Sequence, residues 1–310
     1  MHRRSFLSLA AGSAAASALV GVQHTALGDD APNPASAAKR FTMHFAPHFG
    51  MFQHSAGKDL VDQLKFAADQ GYSAWEDNEM KNRSVEDQER IAKAMTQLDM
   101  RMGVISALRG TWNNITFAGG DQDARDLVLK QMHDIVDIAK RTNTTLLCVV
   151  PGWTNPKLTH DEETASCIEL LKRCCDIVEP HNLVMVIEPV NKQKGASKIF
   201  MFSVVHAFEI CEAVNRPSCK VLCDIFHQQM GVGYLMPNID HCWKQIAYFQ
   251  CGDAPTGKEP GTGEINYANV LRHIKDKGYT GVIGMEHGNS KPGKDGERAV
   301  IEAYGRIDPT

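Results

Sequence analysis

Four short segments place an oxygen-bearing side chain at the end of an apolar run: Ile187-Glu188-Pro189, Cys223-Asp224, Phe249-Gln250-Cys251 and Met285-Glu286-His287. Three carboxylates brought to one place repel each other and resist desolvation unless a cation neutralises them. Glu188, Asp224, Gln250 and Glu286 therefore read as ligands of a divalent ion. Carboxylate and amide oxygens are hard donors, which favours magnesium or manganese. Zinc is less favoured, although His227, three residues after Asp224, could reach the same place. Taken singly, each acid would read as a helix cap or a solvated loop residue. The argument for a site is that all four are in phase.

Such a site needs a fold that gathers strand ends distant in sequence. Strand-like runs are expected at 41–46, 72–76, 101–106, 145–150, 183–188, 220–224, 245–250 and 282–286. Between them, apolar residues at three- and four-residue spacing predict helices at 59–70, 85–98, 124–141, 162–178, 204–214 and 267–277. The runs at 146–150 and 183–187 are continuously apolar, as buried parallel strands are. Strict alternation allows a closed (β/α)8 TIM barrel or an open doubly wound sheet. The first strand is followed by Ala46-Pro47-His48-Phe49-Gly50, which lacks the glycine pattern of a dinucleotide site. With eight strands counted, a single-domain α/β barrel over residues 40–310 is the expected fold. Its C-terminal strand ends would converge on one face, where Glu76, His44, His48 and Arg109 also fall near strand ends, with Trp75, Trp112 and Trp153 close by.

The first 28 residues read as a twin-arginine-type export signal: Arg3-Arg4-Ser5-Phe6-Leu7, an Ala-rich stretch from Leu9 to Val22, then small residues at Ala26 and Gly28. That stretch falls short of the roughly 20 apolar residues of a membrane-spanning helix, so no permanent anchor is expected. Residues 29–39 form a Pro/Ala linker, and the mature protein is expected to be periplasmic or otherwise extracytoplasmic. Loss of Arg3 and Arg4 takes the formal charge from −4 to −6. An acidic chain without a basic run excludes nucleic acid as a natural partner and leaves a small molecule. A homo-oligomer is compatible with the sequence. The nine cysteines lie in or beside apolar runs and helical patterns, match no zinc spacing, and read as reduced core residues.

At Glu188-Pro189-Val190-Asn191, Asp224-Ile225-Phe226-His227, Gln250, the run Glu259-Pro260-Gly261-Thr262-Gly263-Glu264-Ile265-Asn266-Tyr267, and Gly284-Met285-Glu286, the chain resembles the hydroxypyruvate isomerase family of the xylose-isomerase-like barrel superfamily. The resemblance covers nearly all of the mature chain. It implies that Glu188, Asp224, Gln250 and Glu286 hold the metal, that Glu188 and Glu286 are the acid–base pair, and that His227 stands near the substrate oxygens. Glu76, Lys258 and Glu259 are the further expected substrate contacts. The family commonly carries an arginine two residues before the glutamate of the Glu-Pro-Gly-Thr-Gly segment. Gly257 stands there in this chain, with Lys258 beside it.

The implied reaction interconverts a ketose or keto acid with its aldehyde isomer through an enediolate, with hydroxypyruvate and 2-hydroxy-3-oxopropanoate as the first choice. A ketose 3-epimerase would use the same metal and glutamates. A metal-dependent endonuclease would need a basic face and more histidine ligands, and a non-catalytic sugar-binding barrel would not need the intact ligand set. The export reading has its own test. Arg3→Lys/Arg4→Lys should leave the precursor in the cytoplasm, followed by cell fractionation, and undiminished export of that variant would defeat the twin-arginine assignment.

Overall fold

A computed structural model describes residues 40–192 and 198–309. The expected export signal at 1–28, the expected linker at 29–39 and residues 193–197 lie outside the described residues. The strands are β1 (His44–Ala46), β2 (Ala74–Trp75), β3 (Arg101–Met102), β4 (Val104–Ser106), β5 (Leu146–Val149), β6 (Val184–Ile187), β7 (Cys219–Asp224), β8 (Ile246–Gln250) and β9 (Val282–Gly284). The helices are α1 (Gln53–Ala56), α2 (Leu60–Asp69), α3 (Val85–Gln97), α4 (Gln122–Arg141), α5 (His160–Val178), α6 (Val204–Val214), α7 (Ile225–Gly231), α8 (Leu235–Cys242), α9 (Tyr267–Asp276) and α10 (Gly293–Ile307).

Parallel pairing runs β1-β9-β8-β7-β6-β5-β4, and β2 pairs with β3. Backbone bonds complete the circuit. Glu76 N donates to Pro47 O at 3.0 Å beside a His48–Glu76 bridge, and Gly103 N donates to Trp75 O at 2.7 Å. The fold is a TIM barrel, as the alternation predicted. The expected strand at 101–106 is interrupted at Gly103 and forms β3 and β4.

The cause of that break lies across the barrel. One residue from each stave fills the interior: Ala46, Ala74, Val104, Cys148, Val186, Leu222, Tyr248 and Val282. Tyr248 is by far the largest, and the opposite wall is correspondingly small. A Cβ at position 103 would run into the Tyr248 hydroxyl. The register between β7 and β8 shifts between Val221 and Leu222, so that Ile246 packs outward while Ala247 and Tyr248 both face the interior cluster. Such a bulge re-aims the side chains that follow it. It turns Gln250 toward the barrel mouth with no solvent exposure.

The helices form because their caps and apolar stripes agree. Asp121 caps α4 by accepting from Ala124 N, and Val128, Met132, Ile135, Val136 and Ala139 make one buried face. Thr159 and Glu162 form a capping box at the start of α5, whose buried face includes Cys167, Cys174 and Cys175. All nine cysteines are buried and free, as small core residues. Among the described residues no helix is long and apolar enough to cross a membrane.

The Tyr248–Gly103 fit gives a stability test. Gly103→Ala should cost about 1–3 kcal/mol by overpacking. In a Tyr248→Phe background, which lacks the offending hydroxyl, it should cost less, as read from denaturant midpoints in a double-mutant cycle. Strict additivity would remove Tyr248 as the reason for glycine at 103.

Candidate active site

Asp224 ends β7 and also caps α7. Its Oδ1 accepts from Phe226 N at 2.8 Å and His227 N at 3.3 Å, while Oδ2 lies 3.7 Å from His227 Nε2. Glu188 stands one residue beyond β6. Its Oε2 accepts the Cys148 thiol at 3.0 Å, and its Oε1 lies 3.8 Å from the same His227 nitrogen. Glu188, Asp224 and His227 each offer a ligand atom, all within 4.8 Å of one another. On the other side of the imidazole, the Asn191 backbone N–H donates to Nδ1 at 3.4 Å, and the Asn191 side-chain nitrogen is 2.6 Å away. Nε2, on the far side of the ring, faces the two carboxylates and can donate to them.

Glu76 follows β2 and reaches into the same mouth. It accepts from Tyr248 Oη at 2.7 Å, Gln250 Nε2 at 2.9 Å and Asn78 Nδ2 at 3.1 Å. Gly284 makes room for it, since a Cβ there would strike the Glu76 carboxylate. With its amide nitrogen so engaged, Gln250 keeps Oε1 buried and without a hydrogen-bond partner among the described residues. Glu286, two residues past β9, accepts no hydrogen bond from the described residues and lines a cavity of about 470 Å³ together with Glu188.

Electrostatics in this mouth run one way. Burial, opposed by the Tyr248 and Gln250 hydrogen bonds, pushes Glu76 up to about 8. Burial likewise raises Glu188 and Asp224, with His227 pulling each back. Glu286 is raised by the surrounding barrel wall and then by Glu188, Glu76 and Asp224. Its side chain is nonetheless open to solvent through the cavity, which tempers that push. A divalent cation is the physical remedy. The residues fit one: Glu188, Asp224 and the orphaned Gln250 Oε1 are oxygen donors, and His227 Nε2 can donate a hydrogen bond to the two carboxylates. That chemistry suits an ion that prefers oxygen.

Other expected contacts lie elsewhere. Glu259 is buried and spends its carboxylate on Ser290, accepting from the backbone N–H at 2.8 Å and from the hydroxyl. Lys258 lies beside Gly288, and neither residue lines the cavity of Glu188 and Glu286. His48 bonds the backbone oxygens of Phe49 and His287, and His44 bonds Ser73. Trp75 is buried against Phe49, whereas Arg109 and the exposed Trp112 do line the cavity. Trp153 lines a separate cavity of about 660 Å³, whose Asp121 is committed to capping α4. Residues not singled out from sequence are Tyr248, Cys148, Asn78 and Lys81. Tyr248 could have been found by stepping two residues back from Gln250 to the same face of the strand.

Against known proteins, the model of the family described as xylose isomerase-like TIM barrel matches residues 64–307. A putative hydroxypyruvate isomerase of Mus musculus is 29% identical over 139 residues, covering 44% of this chain and 50% of that protein. A 2-oxo-tetronate isomerase of Pectobacterium atrosepticum is 26% identical over 187 residues, covering 60% of this chain and 70% of that protein. The chain thus spans from half to about 70% of the length of these relatives. A crystal structure of D-psicose 3-epimerase from Clostridium cellulolyticum H10 superposes with a TM-score of 0.71 at 14% identity, over 86% of this chain and 98% of that one. At that identity the likeness speaks for the fold.

The raised carboxylates set a pH dependence for chelator-treated protein. A carboxyl group whose pKa is higher folded than unfolded binds its proton more tightly in the fold, so stability is present below the ordinary carboxylate range and falls as pH rises toward about 8, the value for Glu76. The melting temperature without metal should therefore drop by several degrees, on the order of 5 °C, between mildly acidic pH and pH 8. Manganese should restore more at pH 8 than at pH 5. A metal-free melting temperature that is flat or rising across that window would contradict the clustered-acid electrostatics.

Proposed function

The chain belongs to the xylose isomerase-like TIM-barrel family, and from that premise we propose that it is a divalent-metal-dependent isomerase acting on a small ketose or keto acid, hydroxypyruvate being the first candidate. The observation that carries this reading is one cavity lined by two glutamates, Glu188 and Glu286, with Asp224 and His227 grouped around the first and Gln250 paired with Asp224 on the next strand. Relatives named hydroxypyruvate isomerase and 2-oxo-tetronate isomerase support the reaction class.

Glu188, Asp224, Gln250 and Glu286 would hold the metal, with magnesium or manganese favoured by the oxygen donors. When bound, such an ion polarises the substrate carbonyl and offsets developing negative charge. The protein's own part is proton traffic. One glutamate takes the proton from the hydroxyl-bearing carbon and another returns a proton to the former carbonyl carbon, while the hydroxyl proton passes to the former carbonyl oxygen. Glu286, unbonded and open to the cavity, is free to move a proton. Glu188 is oriented by Cys148 on one oxygen and faces His227 with the other. Glu76, held by Tyr248 and Gln250, is tied into the wall and positions Gln250.

A ketose 3-epimerase is the second reading, because a cavity of about 470 Å³ also admits a longer sugar. Both readings require the same acids. Glu188→Gln and Glu286→Gln should each keep the fold yet lose roughly 10²–10⁴-fold in kcat with little change in KM. Asp224→Ala should lose metal by elemental analysis. Near-normal turnover by either glutamine variant would overturn the paired-glutamate mechanism, and a panel of keto acids and ketoses separates isomerase from epimerase.

A further inference from the structure

The same cavity has a second wall with the opposite character. Lys81, in the short 3-10 helix Met80–Asn82 after β2, and Arg109, in the loop after β4, both line it. Lys81 Nζ donates to Ala107 O at 2.9 Å and to Gln131 Oε1 at 2.8 Å, both neutral acceptors. An ammonium has three hydrogens to donate, so one remains. The Arg109 guanidinium makes no hydrogen bond or ion pair among the described residues, yet it is close enough to Lys81 to repel its charge. Of the nearby carboxylates, Asp134 pairs with Lys130 at 2.6 Å, and Glu79, which also lines the cavity, accepts from the Asn82 amide.

The Lys81 ammonium is held in place, and so is the backbone that carries Arg109. Gln131, on α4 and only 8% exposed, accepts from Lys81 Nζ and also from Arg109 N at 2.7 Å, while its own Nε2 donates to Arg109 O at 3.1 Å. One buried amide therefore fixes Lys81 and the Arg109 backbone against each other. Asp134 offsets part of the charge on Lys81 but does not line the cavity, so within the cavity a negative group entering between Lys81 and Arg109 is favoured by both. Beside them Asn78 leaves a buried Oδ1 without a partner, placed to accept a hydroxyl from whatever enters.

We infer that Lys81 and Arg109, braced by Gln131, form the subsite that receives the negatively charged end of the substrate, with the reacting carbons lying toward Glu188 and Glu286. The assignment of the reacting end rests on the isomerase reading, whereas the anion subsite rests on the cations themselves. Lys258, the sequence-based candidate for this role, does not line the cavity. A carboxylate and a phosphate share the chemistry that this pair recognises.

Titration calorimetry on the mature chain with three probes of common skeleton decides the matter: neutral dihydroxyacetone, hydroxypyruvate and dihydroxyacetone phosphate. Wild type should bind one of the two anions at least tenfold more tightly than the neutral triose, with affinity falling as salt is added. Arg109→Ala and Lys81→Met should each weaken that anion by roughly 10- to 100-fold and leave dihydroxyacetone unchanged. Arg109→Lys should recover part of the loss, and since Arg109 is exposed its variants report binding rather than folding. The stronger anion identifies carboxylate or phosphate. Equal binding of charged and neutral probes by wild type, or unchanged anion affinity in Arg109→Ala, would overturn the subsite. Anion binding that depends on Arg109 without turnover of any probe would sink the isomerase reading and leave the subsite standing. Turnover of hydroxypyruvate with a KM indifferent to Arg109 would do the reverse.

Discussion

Four carboxyl groups, Glu76, Glu188, Asp224 and Glu286, share one desolvated barrel mouth, and their mutual repulsion is the constraint around which the rest is arranged. Burial alone would drive such groups to hold their protons. Each carboxylate meets this differently. Asp224 takes two backbone N–H groups of the helix that it caps, Glu188 takes a thiol, Glu76 takes a phenol and two amides, and Glu286 stays open to solvent. The differences in partner become differences in role. A carboxylate saturated by hydrogen bonds serves as scaffold, and one with free lone pairs can exchange a proton or hold an ion.

Much of the barrel's irregularity follows from delivering Tyr248 to Glu76. The bulge before Tyr248 turns both it and Gln250 inward, Gly103 clears the path for the phenol, and Gly284 clears the place where the carboxylate ends. Small residues Ala46 and Ala74 complete the space. These positions sit below the mouth and touch no cavity that substrate would enter, yet they fix which way the Gln250 amide points. With Nε2 committed to Glu76, the oxygen of Gln250 is the atom left over. Packing at the centre of the barrel thus decides the chemistry available at its end.

The strand ends were legible because their signal is local: an apolar run closing on Glu188, Asp224, Gln250 or Glu286 needs only the barrel's topology to become a cluster. The eight staves were legible for the same reason, since alternation survives in composition. Gly103 escaped because its meaning lies in a tyrosine far along the chain. Glu259 lies outside this cavity with its carboxylate bonded to Ser290, a partner that spacing does not disclose. Lys258 also lies outside it, and charge in a loop says nothing of which way the loop faces. Lys81 and Arg109 lie on segments joined by the Lys81 bond to Ala107 O and through Gln131 on α4, so no periodicity links them.

The two walls of the cavity give it a direction. Glu188 after β6 and Glu286 after β9 contribute acids, whereas the segments after β2 and β4 contribute Lys81, Arg109 and the Asn78 amide together with Glu79. A neutral symmetrical ligand would find nothing to choose between its ends. A molecule with a carbonyl at one end and a negative charge at the other is oriented before any reaction begins, because reversing it would set its charge against Glu188 and Glu286 and leave the cations unpaired. Orientation of this kind also protects the acids, since the ligand's own charge is kept away from the place where carboxyl groups are already hardest to ionise. The same separation explains why the brace is a glutamine. A carboxylate at 131 would pair permanently with the Lys81 ammonium, but an amide fixes that ammonium and the Arg109 backbone and leaves the charge for the ligand.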